Sequence, residues 1–368
     1  MNKPTSKLSH PIKICGDACK RTSRRSFIKN SLLTAGAITL GGIVIHGISG
    51  TTQRRDAVSS PTPRVPASTY VPGYIALEES GELERRERLL WSKMESCTLC
   101  PRNCRVNRME GRKGLCNSDD KLIVASAEIS LAEERVTVGT RGTGSIFMSN
   151  CSLLCVFCQN WQINHRGDGI EITHQDLADV MIALQNAGVH NIGIVTPTHA
   201  VPHIVTALRL AIHQGLTIPF LYNSGGYDSL EVIELFDGIA DMYIPDFKFQ
   251  DCEKALPFIQ NAPDYTLHTA AAIKEMHRQV GNPEIVNGVM NRGVIIRHLV
   301  LPENLGGADK LVRWVVDELG TDTHMNIMNQ YRPAFRAHYY PPLNRRITAI
   351  EFEQAMRWAV DAGLRNFH

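Results

Sequence analysis

The chain has 368 residues, and its 39 Lys and Arg residues nearly balance its 37 Asp and Glu residues, for a net charge of +2. This balance excludes a strong overall positive potential of the kind that attracts nucleic acid. The 43% of hydrophobic residues exclude a mostly disordered chain. The ten cysteines are unevenly placed, because seven of them lie between Cys97 and Cys158. Such clustering in a long chain favours metal binding or redox chemistry over a disulfide scaffold.

Residues 1–50 are predicted to form a signal or anchor, and residues 51–77 a linker rich in Ser, Thr and Pro. Arg24, Arg25, Phe27 and Lys29 precede an apolar run and resemble a twin-arginine export signal. We therefore expect export or anchoring in a membrane through this segment, and a cytoplasmic protein if the signal is not used. The alternative is a basic extension with an accidental apolar stretch. Cys15 and Cys19 are expected to be thiols of a polar tail.

Residues 78–140 are predicted to contain a charged helix near 78–94 and a four-cysteine knuckle. Cys97, Cys100, Cys104 and Cys116 have the spacing C-x2-C-x3-C-x11-C, with Pro and Gly residues between them. Four thiolates close a tetrahedral zinc site or saturate an iron–sulfur cluster, and the spacing leaves both open. Two disulfides are the alternative if the protein is exported. A further alternative, that one of these cysteines completes the downstream three-cysteine group, would make the protein an electron carrier.

From about residue 141, short apolar runs alternate with longer amphipathic ones. Candidate strands cover 145–149, 191–196, 217–223, 240–246, 294–301 and 324–329, and candidate helices cover 174–188, 200–214, 228–236, 264–280, 307–319 and 349–362. This alternation predicts an α/β fold with a parallel sheet and right-handed crossovers. Six units are fewer than the eight of a closed barrel, so an open or partial barrel is expected over 141–335, followed by a C-terminal extension with a helix over 336–368.

Polar side chains follow every predicted strand. Asn150 and Cys151 follow the first strand. In chain order, the second, third and fourth strands end in 196–199, 223–226 and 246–248, the fifth carries Arg297 and His298, and the sixth ends in 329–332. Because parallel strands place their carboxyl ends at one edge of the sheet, these side chains are expected to share a site.

Cys151, Cys155 and Cys158 follow the first predicted strand with the spacing C-x3-C-x2-C. Three thiolates on one loop can hold three irons of a [4Fe–4S] cluster, which ordinarily has four cysteine ligands. Without a fourth protein ligand, one iron is open to a small molecule. Phe157 would place an aromatic ring beside that molecule. A zinc or purely structural cysteine cluster is the alternative.

The stretch from Asn150 to Trp161 resembles the radical S-adenosylmethionine (SAM) superfamily. It is most similar to the pyruvate formate-lyase activating enzyme group, in a branch with an upstream four-cysteine segment. The resemblance covers about residues 95–335, including the segments 196–199, 222–226, 245–248 and 329–333.

The resemblance implies a partial (β/α)6 barrel in which Cys151, Cys155 and Cys158 ligate a [4Fe–4S] cluster and SAM chelates the fourth iron. An electron from a reductant protein of the flavodoxin or ferredoxin type would cleave SAM to a 5′-deoxyadenosyl radical, which abstracts a substrate hydrogen. The upstream cysteines would hold a second iron–sulfur cluster or zinc.

The resemblance also implies contacts to SAM, for which Phe157, Thr196, Thr198, Asn223, Asp246, Lys248 and Arg297 are the candidates. Thr196 and Thr198 stand where the superfamily commonly has Gly-Gly-Glu, and this departure replaces a carboxylate with hydroxyl groups. Structural ion pairing is the alternative role for Asp246, Lys248 and Arg297.

The expected activity is that of a radical SAM enzyme, and the resemblance favours an activase that takes hydrogen from a protein backbone glycine. Radical modification of another peptide or a small molecule is a second interpretation. An exported iron–sulfur electron carrier or metal-binding protein is a third, from a different functional class. His199 and His298 receive no role, and Cys252 is expected to be an ordinary thiol at a helix start.

Overall fold

The computed structural model describes residues 70–260 and 262–368. The twin-arginine segment, its apolar run, Cys15, Cys19 and linker residues 51–69 lie outside the described residues. Among the helices of the described ranges, none combines the length and the apolar character needed to cross a membrane.

A ten-stranded sheet organises the molecule. The strands are β1 (Ile123–Ser130), β2 (Thr143–Met148), β3 (Ile170–Glu171), β4 (Ile192–Val195), β5 (Phe220–Ser224), β6 (Met242–Pro245), β7 (Glu284–Val286), β8 (Val289–Leu299), β9 (His324–Met328) and β10 (Asn366–Phe367). The main path runs β10-β9-β8-β6-β5-β4-β2-β1-β3, and β7 pairs only with β8. Neighbouring strands from β2 to β9 along this path are all parallel. The protein therefore has an α/β fold with a mixed, mostly parallel sheet.

The six parallel strands β2, β4, β5, β6, β8 and β9 are the six predicted from the sequence. The remaining strands lie at the margins of the sheet and were not predicted. Strand β1 is antiparallel to both β2 and β3, and β7 is antiparallel to β8. Strand β10 is parallel to β9, so the C-terminal extension contributes a strand to the sheet as well as the predicted helix.

Eleven α-helices of the described residues connect or flank the strands. They are α1 (Gly73–Glu79), α2 (Glu82–Glu95), α3 (Arg135–Val138), α4 (Trp161–Asn164), α5 (His174–Asn186), α6 (Val201–His213), α7 (Leu230–Leu235), α8 (Cys252–Ala255), α9 (Tyr265–Val280), α10 (Ala308–Leu319) and α11 (Ala349–Asp361). The six helices predicted downstream of residue 141 correspond to α5, α6, α7, α9, α10 and α11. Side chains of Thr173 and Thr348 cap the amino ends of α5 and α11.

The helix predicted near 78–94 is wrong in its start and its continuity. Helix α1 already begins at Gly73, inside the segment assigned to the linker, and α2 follows as a separate helix. The break lies at Gly81, whose φ of 76° is left-handed and favours glycine. Two consecutive helices therefore replace the single predicted one.

Helices α1 and α2 are fixed to the parallel core by buried and charged contacts. Leu83 and Leu90 of α2 are fully buried, and burial of such a side chain contributes about 1.5–3 kcal/mol. Arg209 of α6 pairs with Glu78 at 2.8 Å and with Glu87 at 2.6 Å. The chain before α1 is held at Tyr70, whose hydroxyl donates to Asp241 at 2.7 Å.

Candidate functional site

A cavity of about 260 Å³ lies at the carboxyl ends of the parallel strands. All six strands contribute, because the lining includes residues at or just after β2, β4, β5, β6, β8 and β9. The predicted site residues on this lining are Cys151, Cys155, Phe157, Cys158, Thr196, Asn223, Asp246, Lys248 and Arg297. Parallel α/β proteins commonly bind ligands at this edge of the sheet. The structure thus brings nine of the ten residues predicted for this site into one cavity.

The three-cysteine loop follows β2 in an irregular conformation. Asn150 and Leu154 both have positive φ angles, of 75° and 55°, which bend the backbone on either side of Cys151. The Leu153 amide lies 3.4 Å from the Cys151 sulfur, and the Asn164 side-chain amide lies 3.3 Å from the Cys158 sulfur. These N–H groups point at sulfur atoms, which is the arrangement that stabilises thiolates and iron–sulfur clusters.

Burial dominates the ionisation of these three thiols. It raises the pKa of Cys151, raises the pKa of Cys155 well above its ordinary value, and raises the pKa of Cys158 to about 11. The positive charge of Lys248 opposes the shift at each of the three. The thiols are therefore protonated at neutral pH, and metal binding would release their protons.

Thr196 and Asn223 form one polar wall of the cavity. The Thr196 amide donates to the Asn223 carbonyl at 2.9 Å, which joins the ends of β4 and β5. Thr196 has a φ of 62°, a strained value for a β-branched residue. Strain of this kind is held in place by surrounding structure and is common at binding sites.

Thr198 does not line the cavity. It is buried, and its hydroxyl donates to Asp228 at 2.6 Å. Tyr222 and Ser224 donate to the same carboxylate, at 2.9 and 2.6 Å. Burial raises the pKa of Asp228, while these three hydroxyl groups oppose the shift. The predicted contact between Thr198 and a cofactor is therefore replaced by a structural hydrogen-bond network beneath the strand ends.

Asp246 and Lys248 contact each other at the floor of the cavity, and both side chains are mostly buried. Burial alone would lower the pKa of Lys248, but the Asp246 carboxylate together with Tyr265 and Cys155 outweighs it, so the net shift of that pKa is upward. Lys248 therefore keeps its positive charge at neutral pH, and this charge acts on all three thiols. Phe157 is also buried, and its ring packs edge-on against Phe249 and Tyr331.

Arg297 is engaged in a buried ion-pair network. Its guanidinium donates to Glu134 at 2.6 Å and also pairs with Glu133. It reaches Asn223 at 3.4 Å, and the Glu134 side chain has 0% exposure. The ion pairing that was the alternative role for Arg297 is present, and Arg297 also contacts Asn223 from within the lining, while its contact with a cofactor stays a prediction.

Several residues of the cavity were missed by the sequence analysis. Glu133 lines it, although Glu133 and Glu134 stand in a charged segment that suggests a solvent-exposed turn. Asn164 and His165 of the segment after the three cysteines also line it. The same segment carries Trp161, whose ring stacks on Phe335 with centroids 5.4 Å apart. The Asn160-Trp161 pair shortly after the last cysteine was the sequence feature that could have pointed to Asn164 and His165.

The four upstream cysteines line a second, smaller cavity of about 10 Å³, which is room for about one water-sized sphere. Arg108 and His199 line it as well. Arg108 is 1% exposed, and its guanidinium donates to the carbonyls of Asp119 and His199. None of the ion pairs within the described ranges includes Arg108, and its guanidinium interacts with the Cys97 sulfur, where its charge favours the thiolate.

His199 connects this second cavity to the three-cysteine loop. Its Nε2 donates to the carbonyl of Ser149 at 2.7 Å, and its buried Nδ1 has no partner in the described residues. Burial and the nearby Arg108 lower the pKa of His199 to about 4, so the ring is neutral. His298 is also buried and bonds to the Phe247 carbonyl, away from both cavities.

Within the described ranges, no three His, Cys, Asp or Glu side chains surround a single point closely enough to hold one metal ion. The cysteines of each group share a cavity without converging on one position. Cys252 begins α8, as expected, and lies in neither group.

Gly226 packs against the backbone of Asp246, which lines the cavity, and a side chain at this position would collide with it. Its φ is 81°, and a Cβ atom there would lie 2.1 Å from the Asp246 carbonyl oxygen. We expect Gly226→Ala to destabilise the fold by about 1–2 kcal/mol for the left-handed backbone plus about 1–3 kcal/mol for the clash. Unfolding by denaturant measures the sum of these two costs.

Gly215→Ala is the matched control, since Gly215 has a φ of 94° and open space around the Cβ position. It carries the backbone cost alone. Equal unfolding free energies for the two variants would contradict the close approach of Gly226 to β6.

Two archaeal proteins resemble this chain. The chain is 30% identical over 276 residues to the uncharacterized protein MJ0674 of Methanocaldococcus jannaschii, which covers 72% of this chain and 74% of the relative. It is 23% identical over 312 residues to the uncharacterized protein MJ0808 of the same organism, over 76% of this chain and 83% of that protein. No protein-family model matches the chain. The first likeness is close and long enough that the chain belongs to the family of MJ0674.

Proposed function

We propose that this member of the MJ0674 family is a radical SAM enzyme. The observation that carries the proposal is the position of Cys151, Cys155 and Cys158. All three face one cavity at the carboxyl ends of six parallel strands, beside a buried Asp246–Lys248 pair. In the proposal, these six strands and their helices form a partial (β/α)6 barrel around the cavity.

The residues present fit a [4Fe–4S] cluster. Three thiols come from one short loop, and the Leu153 and Asn164 N–H groups point at two of the sulfurs. Lys248 supplies a positive charge that offsets thiolate charge at all three. Among the residues that the structure describes, no fourth cysteine lines this cavity, so a cluster held by these three thiols would keep one iron for a small molecule.

When bound, the reduced cluster and SAM would supply a 5′-deoxyadenosyl radical that abstracts hydrogen from a substrate. The chain's own residues would bind and orient the small molecule. Asn223, Thr196 and the Asp246–Lys248 pair offer amide, hydroxyl and charged groups on the cavity wall. Arg297 would hold Asn223 in place, while the buried Phe157 would help to exclude water near the sulfurs.

The substrate class within this proposal is a peptide backbone, with glycine of a glycyl-radical enzyme as the first candidate. The cavity is open on one side and has the Trp161–Phe335 stack close to its His165 wall. A reductant protein of the flavodoxin or ferredoxin type would deliver the electron. In the four-cysteine knuckle, the four thiolates around zinc or a second iron–sulfur cluster would carry the negative charge that offsets the buried Arg108.

The proposal is tested by SAM cleavage. The chain from Tyr70 onward and the full chain are purified anaerobically, supplied with iron and sulfide, reduced with dithionite and mixed with SAM. We expect 5′-deoxyadenosine to form, and the product is measured by liquid chromatography with mass detection.

The triple variant Cys151→Ala, Cys155→Ala and Cys158→Ala should lose this product and the corresponding iron. Cys252→Ala is the matched control, because Cys252 lies in neither cysteine group, and it should retain both. If wild type with its iron bound forms no more product than the triple variant, the chain is not a radical SAM enzyme. A reversible redox signal in that case would favour the electron-carrier interpretation.

A further inference from the structure

Arg102 belongs to the four-cysteine segment, between Cys100 and Cys104, but its side chain contacts the three-cysteine loop. Its Nη2 donates to the Leu153 carbonyl at 2.9 Å, and its Nε donates to the Ser152 carbonyl. The guanidinium also lies 5.9 Å from the centre of the Tyr227 ring. The side chain therefore bridges two segments that are about fifty residues apart in sequence.

These two carbonyls belong to the peptide groups whose N–H bonds face Cys151. The Ser152 carbonyl shares a peptide plane with the Leu153 N–H, and the Leu153 carbonyl shares one with the Leu154 N–H. The Leu153 N–H lies 3.4 Å from the Cys151 sulfur, and both N–H groups favour the thiolate form of Cys151. A trans peptide group is rigid, with C=O and N–H pointing in opposite directions. Holding both oxygens therefore fixes the direction of both N–H groups.

The backbone N–H of Arg102 acts on the upstream group, because it favours the thiolate form of Cys100. Arg102 thus faces the upstream group with its backbone and holds the peptide groups beside Cys151 with its side chain. The remaining turn is tight, with the Asn103 amide bonded to the Cys100 carbonyl at 3.1 Å. A change at Cys100 would move the backbone that carries the Arg102 side chain.

We propose that Arg102 is a positioning residue through which the four-cysteine segment sets the environment of the cluster bound by the three-cysteine loop. The inference rests on the proposed function, since it concerns the same cluster. N–H groups directed at a cysteine sulfur and nearby positive charge both favour the reduced, more negative cluster and so raise its reduction potential. Arg102 supplies the charge and directs two N–H groups.

The test compares Arg102→Met and Arg102→Lys with the exposed Arg112→Met from the same segment. The cluster midpoint potential is measured by redox titration without SAM, and iron loss to a chelator is timed. We expect a more negative midpoint and about tenfold faster iron loss or more for Arg102→Met, as for other residues that orient metal ligands. Arg102→Lys keeps the charge but replaces the planar fork of donors with a single nitrogen that holds the two carbonyls less rigidly, so an intermediate midpoint is expected. Arg112→Met should match wild type.

Coupling to the upstream group is tested with Cys100→Ala. Its midpoint should shift in the same direction, and adding Arg102→Met should shift it little further. A wild-type midpoint in Arg102→Met, or in Cys100→Ala, would overturn the inference, even if wild type cleaves SAM. If Arg102→Met does not fold, Arg102→Lys and Arg102→Gln decide the same question. Failure of the proposed function is seen separately, as an iron-loaded wild type that does not cleave SAM.

Discussion

Arg297→Met is expected to lower the free energy of unfolding by about 3–5 kcal/mol at neutral pH, because it leaves a buried carboxylate without its cation. The Glu134 side chain is fully buried, and its other side-chain partner is Asn326 at 3.1 Å. Methionine has a similar volume to the arginine stem, so the loss reports the charge. Chemical denaturation monitored by circular dichroism measures it.

The effect of Arg297→Met should depend on pH with a defined sign. Burial alone would raise the pKa of Glu134, but Arg297 outweighs it and the net pKa lies below the ordinary value. A lowered folded-state pKa contributes stability above the unfolded pKa, and that stability is lost as the pH falls through the folded pKa. The difference in unfolding free energy between wild type and Arg297→Met should therefore be largest at neutral pH, and it should become smaller below about pH 4.

Two further variants isolate the buried pair. Glu134→Gln added to Arg297→Met removes the unpaired charge, and the double variant should be more stable than the single one. Arg345→Met breaks a pair with Glu351 at 2.8 Å in which Arg345 is 40% exposed, and it should cost at most about 1 kcal/mol. Equal losses for Arg297→Met and Arg345→Met would mean that the buried network is not a stabilising one.

Arg108→Met is expected to lower stability by at least about 2 kcal/mol and to weaken metal binding by the knuckle. The arginine satisfies the carbonyls of Asp119 and His199, at distances between 2.7 and 3.0 Å. Each buried carbonyl left without a partner costs about 1–3 kcal/mol. The charge beside Cys97 is lost too, so thiolate formation becomes less favourable.

The metal held by the four-cysteine knuckle is measured in the triple variant that lacks Cys151, Cys155 and Cys158, so that metal at the downstream site does not contribute. Zinc and iron per chain are measured for Arg108→Met and for the exposed control Arg112→Met. Arg108→Met should retain less metal after dialysis against a chelator. Full retention together with unchanged stability would contradict the role given to Arg108.

The parallel strands could be predicted best from the sequence. Each is a short run of apolar residues between turns, and the structure buries these residues. Burial on both faces leaves a strong local signal. Strand β10 has only two residues and forms only because β9 is beside it, so no local pattern could identify it.

In the candidate site, too, local sequence patterns do not determine which side chains meet. Thr196 and Thr198 were predicted together, yet the positive φ at Thr196 turns the backbone, and Thr198 enters the network around Asp228 instead. The partner of Arg297 could not be predicted, because Glu134 lies 163 residues away and only the folded sheet brings the two together. Local spacing identifies the cysteine motifs, while side-chain partners depend on topology.

The bond between Tyr70 and Asp241 has a consequence for attachment. Asp241 immediately precedes β6, whereas Asp246 lies just beyond its other end, on the cavity. Tyr70 therefore enters the fold about one strand length, roughly 13–15 Å, from the cavity. A purification tag or a solid support attached directly at Tyr70 would therefore lie at the end of the sheet remote from the cavity. Immobilisation of the chain from Tyr70 onward through this end should consequently leave the cavity free for a small molecule or a protein partner.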